Sequence, residues 1–312
     1  MKYDVVGLGV CTMDLLMVVD ELPGGELVQR AHASALAGGG PVATALVALA
    51  RLGARCAMLD LVGGDLIGRM IVAELDAEGV DTAGMVIDAG STSSQATVLV
   101  RKRDGARAIT FAPGTSAELS PAGDWLRRCL SPFEEMIRSA KILHLNGRHW
   151  QACLKAARMA RDAGVLVSFD GGSHRFRPEH VELLPLVDIC IVAEEYAASC
   201  TGASSPGQAA QALLQYGPRV VGVTSGTRGS VLLTRDGEIL HQPAYPVEQV
   251  IDTTGAGDAY HGGFLFGLAR GLSLKDSARY AAALGALNTR ALGGRAALPT
   301  LDQLQQFLER RG

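Results

Sequence analysis

The sequence predicts an α/β protein built on a mostly parallel sheet, and three observations carry that prediction. Apolar segments of strand length alternate with segments of helical periodicity over most of the chain, the rhythm of right-handed βαβ units covering both faces of a sheet. Hydrophobic residues make up 48% of the 312 residues but aromatics only 5%, so the core is built of Ala, Val and Leu, as parallel sheets between helix layers usually are. The 38 glycines suit many tight strand-to-helix turns.

In chain order, Val5, Val6, Leu8 and Val10 form a buried first strand ending near Asp14. Gly7 and Gly9 begin a Gly-x-Gly-x-x-Gly pattern, but its third position is Thr12 and no helical pattern follows at once, which argues against a dinucleotide-binding turn. Residues 15–19 and 27–32, separated by Pro23-Gly24-Gly25, read as paired strands. Residues 94–101 and 107–111, around Asp104-Gly105, read as a second pair, with Ala96, Val98 and Val100 on one face. These four strands fall outside the βαβ rhythm and need a sheet to share. Between the pairs, Gly38-Gly39-Gly40-Pro41 opens a helix in which Val42, Ala45, Leu46 and Leu49 recur at helical spacing before Gly53 stops it.

From Arg55 onward the strands are 56–61, 142–145, 165–170, 189–193 and 219–224, with helices running to Glu78, over 150–163 and over 195–201. A strand at 230–234, an alanine-rich helix at 277–290 and a terminal helix at 301–310 complete the reading. In open sheets of this kind ligands sit at the carboxyl ends of strands. Asp14, Asn146, Asp170, Thr224 and Asp252 all fall at predicted strand ends and are expected to share one crevice.

Composition excludes several function classes. The net charge is −3 and no basic block exceeds Arg101-Lys102-Arg103, so nothing marks a nucleic-acid surface. No apolar run approaches the roughly 20 residues of a membrane span, and the N-terminus leads into a strand without signal-peptide features, so a cytoplasmic location is expected. The six cysteines (Cys11, Cys56, Cys129, Cys153, Cys190, Cys200) form no Cys-x-x-Cys pair and read as reduced core residues. His144 and His149 lack metal-ligand spacing.

The stretch 252–258, Asp-Thr-Thr-Gly-Ala-Gly-Asp, carries the chemistry. It follows an apolar run (Val247, Val250, Ile251) and reads as a strand, a glycine loop and a helix start. Glycines let backbone N–H groups converge, and the helix adds its unpaired N–H groups and positive dipole end, so the loop can hold a phosphate. Asp258 places a carboxylate at the mouth of that anion site, where a base that activates a hydroxyl for phosphoryl transfer is useful.

Residues 252–265 resemble the C-terminal signature of the ribokinase family, the phosphofructokinase-B group of carbohydrate kinases, and 39–53 with Gly63-Gly64-Asp65 and Gly68 resemble its N-terminal signature. The resemblance implies a ribokinase-like three-layer fold over residues 1–312 as a single domain: a central mostly parallel sheet flanked by helices, plus a small β-sheet lid drawn from about 15–32 and 94–111. It implies ATP-dependent phosphorylation of a hydroxyl on a sugar or sugar-like molecule. Asp258 would be the base, and the amides of Gly255, Ala256 and Gly257 the anion hole. Mg2+ would bridge the ATP phosphates and K+ would sit near Asp252. The lid closes over the sugar and in several members makes a dimer contact, so a homodimer is expected.

On the sugar side the resemblance implies Asp14 as a hydroxyl binder and Gly39-Gly40 as the close backbone approach. Thr12 and Thr44 stand where the family often has asparagine, so hydroxyls of shorter reach replace two amides. Arg148, in Asn146-Gly147-Arg148-His149, stands where the family often has a sugar-contacting polar residue, and its planar fork suits a carboxylate, sulfonate or phosphate on the substrate. On the nucleotide side, 224–229 (Thr224, Gly226, Gly229) resembles the loop that wraps the ATP phosphates. Ala193-Glu194-Glu195-Tyr196 occupies the place of the family's Asn-x-x-Glu element, where Glu194 or Glu195 would reach magnesium, Glu195 through water. Asn288, on the alanine-rich helix, offers an amide to adenine. Two other readings stay open: a nucleoside kinase of the same fold, and a catalytically idle sugar-binding regulatory protein.

Overall fold

A computed structural model describes residues 1–26, 28–115 and 133–311. Among the described residues there are two sheets, one of nine strands and one of four. The large sheet comprises β1 (Tyr3–Leu8), β4 (Cys56–Gly63), β5 (Met85–Asp88), β8 (Ala140–Leu145), β9 (Leu166–Asp170), β10 (Ile189–Ala193), β11 (Val220–Thr224), β12 (Ser230–Thr234) and β13 (Ile239–Gln242). Its order is β13-β12-β11-β10-β9-β8-β1-β4-β5, parallel except for the hairpin edge β11-β12-β13. Helices α1 (Pro41–Arg51), α2 (Leu66–Ala77), α6 (Ala256–Ala269), α7 (Leu274–Asn288) and α8 (Leu301–Glu309) pack on one face. Helices α3 (Trp150–Asp162), α4 (Glu194–Thr201) and α5 (Pro206–Leu214) cover the other. The period-two alternation of a strand feeds both cores: Val6 and Leu8 of β1 enter one, Val5 the other.

The four-stranded lid is β2 (Thr12–Val19), β3 (Ala33–Gly39), β6 (Gln95–Arg101) and β7 (Arg107–Ala112), in the order β3-β2-β6-β7. Its body-facing side buries Leu16, Val98 and Val100 against Ala35, Ala37 and Leu292. The structure shows the fold expected from the sequence, a helix-flanked mostly parallel sheet with a separate small sheet.

Several boundaries differ. The partner of β2 is Ala33–Gly39 rather than 27–32, and Leu27 lies outside the described residues. Ala, Ser and Gly have low strand propensity, and only pairing with β2 makes this stretch a strand. Strand β2 begins at Thr12, so Asp14 belongs to the lid and not to the end of the first strand. No strand precedes Asp252: Val250 and Ile251 are 43% and 37% exposed, and apolarity alone does not distinguish a strand from an exposed loop. The short edge strands β5 and β13 carry no clear periodic signal, while α5, with buried Ala209, Ala210 and Leu213 at helical spacing behind a Ser205 cap, lies beyond the helices expected from the sequence. Cys11, Cys56, Cys153, Cys190 and Cys200 are free thiols, while Cys129 lies outside the described residues. Among the described residues no helix is long and apolar enough to cross a membrane.

Candidate active site

The 252–258 loop is tied down on three sides. Asp252 is fully buried, with Oδ1 accepting from the N–H of Thr254 at 2.8 Å and Oδ2 from the N–H of Gly293 at 2.9 Å. The N–H groups of Ile251 and Asp252 both donate to the carbonyl of Thr289. Asn288 donates its side-chain amide to the carbonyl of Thr254 at 3.1 Å. Gly255 then takes a left-handed conformation (φ 74°) and caps α6; a Cβ there would lie 2.7 Å from the Cα of Gly294, so the position is restricted to glycine twice over. Space around Gly257 is open. The N–H groups of Gly255, Gly257 and Asp258 have no acceptor among the described residues, as expected of an anion cradle at a helix start.

Asp258 stands in the first turn of α6, half-buried. Burial, and then the charge of Asp170, push its carboxyl up to about 6, against the opposing pull of Arg175, His261 and Arg107. Asp170 ends β9 and accepts from the N–H of Gly172 at 2.6 Å. Burial would raise this carboxyl too, but the His261 imidazole 3.3 Å away and Arg175 at 3.9 Å outweigh it and hold Asp170 ionised. His144 lies beside His261 (ring centroids 5.2 Å apart, tilted by 39°), and burial followed by that neighbour pushes it down to about 3, so it stays neutral beside the Ser168 hydroxyl.

Asp14, Gly39 and Gly40 meet at the base of the lid. The Thr12 hydroxyl donates to Asp14 at 2.6 Å, and burial raises the Asp14 carboxyl above its usual range. Gly40 has φ 93°, and a Cβ there would collide with the carbonyl of Val10. Arg295, which the sequence reading missed, holds this turn from behind. It donates to the carbonyl of Gly39 at 2.6 Å, reaches the Thr44 hydroxyl at 3.3 Å and pairs with Glu74 at 3.3 Å. Thr44 is 1% exposed, and its hydroxyl accepts from Arg295, so it supports the turn. No local pattern identifies Arg295, which meets Gly39 across more than 250 residues of chain.

Arg148 lies on the turn after β8, its guanidinium 4.8 Å above the ring of Phe111 in the lid. A second lid residue, Arg107, was also missed. Its guanidinium donates to the Thr253 hydroxyl, and its charge is felt by Asp258. It reads locally as an ordinary exposed strand arginine, and only folding sets it over the loop.

On the other side, 224–229 links β11 to β12, with Gly226 exposed at φ 57° and Gly229 at φ 88°. Thr224 pairs with Ala193 across β10 and β11, which brings this loop beside Glu194 and Glu195. Arg228 pairs with Glu194, whereas Glu195 is exposed and its carboxylate accepts only from the Ser173 hydroxyl, at 3.2 Å, among the described residues. Asn288 is fully buried with its amide donating to the Thr254 carbonyl. That bond supports the loop, while its Oδ1 has no hydrogen-bond partner among the described residues. No cluster of three or more His, Cys, Asp or Glu able to hold a metal occurs among the described residues.

Residues 2–301 match the pfkB family carbohydrate kinases. The chain belongs to this family. As a pfkB carbohydrate kinase it is 33% identical to the aminoimidazole riboside kinase of Salmonella typhimurium, over 86% of this chain and 87% of that protein. It is 30% identical to the ATP-dependent ribose-1-phosphate kinase of Halopiger xanaduensis, over 98% of each. The structure of Arabidopsis thaliana ribokinase complexed with ribose and ATP superposes on this pfkB kinase with a TM-score of 0.85, at 26% identity, covering 99% of both chains.

Proposed function

We propose that this pfkB kinase transfers the γ-phosphoryl group of ATP to a hydroxyl of a sugar or sugar derivative, with Asp258 as the general base. The observation that carries this reading is the placement of the Asp258 carboxylate in the first turn of α6, beside the N–H groups of Gly255, Gly257 and Asp258 that have no acceptor among the described residues; burial and Asp170 raise that carboxyl to about 6. Near neutral pH it is ionised yet basic enough to take the proton as the hydroxyl oxygen attacks phosphorus. The unpaired N–H groups of Gly255, Gly257 and Asp258 and the dipole of α6 stabilise the charge on the equatorial oxygens. Asp14 and the Gly39-Gly40 turn hold the acceptor, and 224–229 holds the nucleotide. Ribose and ATP in the Arabidopsis relative support both halves of this assignment.

Magnesium supplies charge neutralisation between the ATP phosphates. The exposed Glu195 suits a water-mediated contact to it, because Mg2+ is commonly held by one or two carboxylates and substrate phosphates. We further propose a potassium ion beside Asp252. That carboxylate is fully buried and has no cationic partner among the described residues. The nearby Thr254 Oγ1 and Asn288 Oδ1 are buried oxygens without hydrogen-bond partners. Unpaired oxygens around a buried negative charge are the donor set a hard monovalent cation takes.

A nucleoside acceptor fits less well. Phe111 is the one aromatic residue of the four lid strands, and Arg148 already covers its face. A homodimer through the lid is supported by Leu15 and Leu36, which pair directly across β2 and β3 on the outer face and are 39% and 52% exposed. A coupled ADP-release assay over sugars, sugar acids, sugar phosphates and nucleosides tests the function. Sugar-dependent release is expected, and no release with any acceptor while ATP binds would favour the idle regulatory reading.

A further inference from the structure

Among the described residues, Arg148 is the arginine at the crevice without a carboxylate or a hydrogen-bonded hydroxyl. Arg175 has Asp170 at 3.9 Å, Arg177 has Glu179 at 3.2 Å and Arg107 has the Thr253 hydroxyl. Arg148 has only the ring of Phe111. The turn that carries it is built firmly. Asn146 Oδ1 accepts the Arg148 N–H at 3.2 Å, and His149 takes a left-handed conformation (φ 55°) with Nε2 2.8 Å from Asp60. Arg177 donates to the carbonyl of Gly147 at 3.0 Å. The strained, thrice-anchored turn fixes where Arg148 stands, and the exposed guanidinium is left open to a ligand because no acid among the described residues neutralises it.

The lid register says where this arginine stands. Asp14 pairs with Ala96 across β2 and β6, and Ala96 pairs with Phe111 across β6 and β7. Directly opposed residues share a face of a sheet, so Asp14, Ala96 and Phe111 form one row on the body-facing side. Two strand spacings separate its ends, about 10 Å. Asp14 closes one end and Arg148, stacked on Phe111, the other, with the small Ala96 between them. A neutral monosaccharide held at Asp14 leaves the Arg148 end unfilled, whereas one bearing a further group spans it. Asn146 adds a second signal, since its Nδ2 is buried and has no hydrogen-bond partner among the described residues. Burial and the charges of Arg175 and Arg177 lower the Arg148 pKa, a penalty that an anion relieves.

We infer that the acceptor is an anionic sugar, a sugar phosphate or sugar acid, whose charged group is held by Arg148 and the Asn146 amide while its hydroxyls meet Asp14. This deepens the proposed kinase function and rests on it. A guanidinium fork matches a phosphate or carboxylate in a bidentate way, and Asn146 supplies a further donor to the same oxygens.

The test measures binding apart from turnover. Calorimetry on the wild-type protein, with magnesium and a non-hydrolysable ATP analogue, compares matched pairs: D-ribose with its 1- and 5-phosphates, D-fructose with its 1- and 6-phosphates, and D-glucose with D-gluconate. At least one anionic member is expected to bind about 10-fold or more tightly than its neutral partner, and Arg148→Gln to reduce that preference by about 10-fold or more. Arg148→Lys, which keeps the charge and loses the fork, should retain an intermediate preference, and thermal unfolding of both variants checks that they fold. Equal or tighter binding of every neutral member, no binding of any anionic member, or a preference untouched in Arg148→Gln overturns the inference. Failure of the kinase reading shows separately, as absence of ADP release from wild type on the sugars that bind.

Discussion

The imidazole of His261, one helical turn along α6 from Asp258, lies with Nε2 3.3 Å from Oδ1 of Asp170. It helps keep Asp170 negative, and Asp170 in turn, after burial, raises the Asp258 carboxyl to about 6. A base works when ionised, so turnover should fall about tenfold per unit as pH drops below about 6 and level off above it. Bound phosphates move this limb upward, since they favour the neutral acid. Asp170→Asn removes a charge that raises Asp258, so its acid limb should move to lower pH. An acid limb in this variant that stays put or moves up would show that Asp170 does not set the base.

If Asp258 is the base, Asp258→Asn removes it and leaves the amides at the start of α6 in place. Turnover should fall by at least ~10²-fold while the affinity for ATP persists, measured by steady-state rates and calorimetry. A variant that turns over like wild type would remove Asp258 from its role.

Arg107 comes from the lid yet bonds Thr253 of the anion loop. If the lid delivers this charge to the transferring phosphate, Arg107→Ala should lower kcat by roughly 10²-fold with a smaller change in sugar KM. A change confined to KM would make it a clasp for the closed lid only.

Arg295 is 3% exposed and joins Glu74, Thr44 and the Gly39 carbonyl. Arg295→Met leaves Glu74 without its cation and should cost roughly 3 kcal/mol, the lower end for a broken buried pair because Glu74 is partly exposed. Urea titration reads this cost. Adding Glu74→Gln should recover part of it, and losses that simply add would show that the pair is not coupled.

The oxygens around Asp252 predict dependence on a monovalent cation. Activity in potassium should exceed that in a potassium-free buffer of equal ionic strength. Equal rates in the two buffers would leave Thr254 Oγ1 and Asn288 Oδ1 as unpaired atoms with no ligand.

How much was legible in the sequence depended on the range of the interaction. The loop at 252–258 and the turn at Gly39-Gly40 could be read because their chemistry is local: glycines, a cap and a helix start lie within a few residues. The Asp14 position was found but assigned to the wrong strand, since the boundary between β1 and β2 falls in a continuous apolar stretch. The contacts of Asn288 with Thr254 and of Thr44 with Arg295 have no signature in the sequence, because which neighbour a polar side chain meets depends on packing.

By itself, then, the sequence determined the fold class, three of the four short strands outside the βαβ rhythm and a glycine loop at a helix start with a carboxylate in its first turn, because periodicity and turn chemistry act between near neighbours. Tertiary structure alone decided what surrounds that carboxylate. Asp170 and His261 meet near it from β9 and α6, Arg107 reaches the loop from the lid, and Arg295 crosses the chain to hold Gly39. Desolvation and Coulomb interactions depend on distance in space, and no spacing along the chain encodes them.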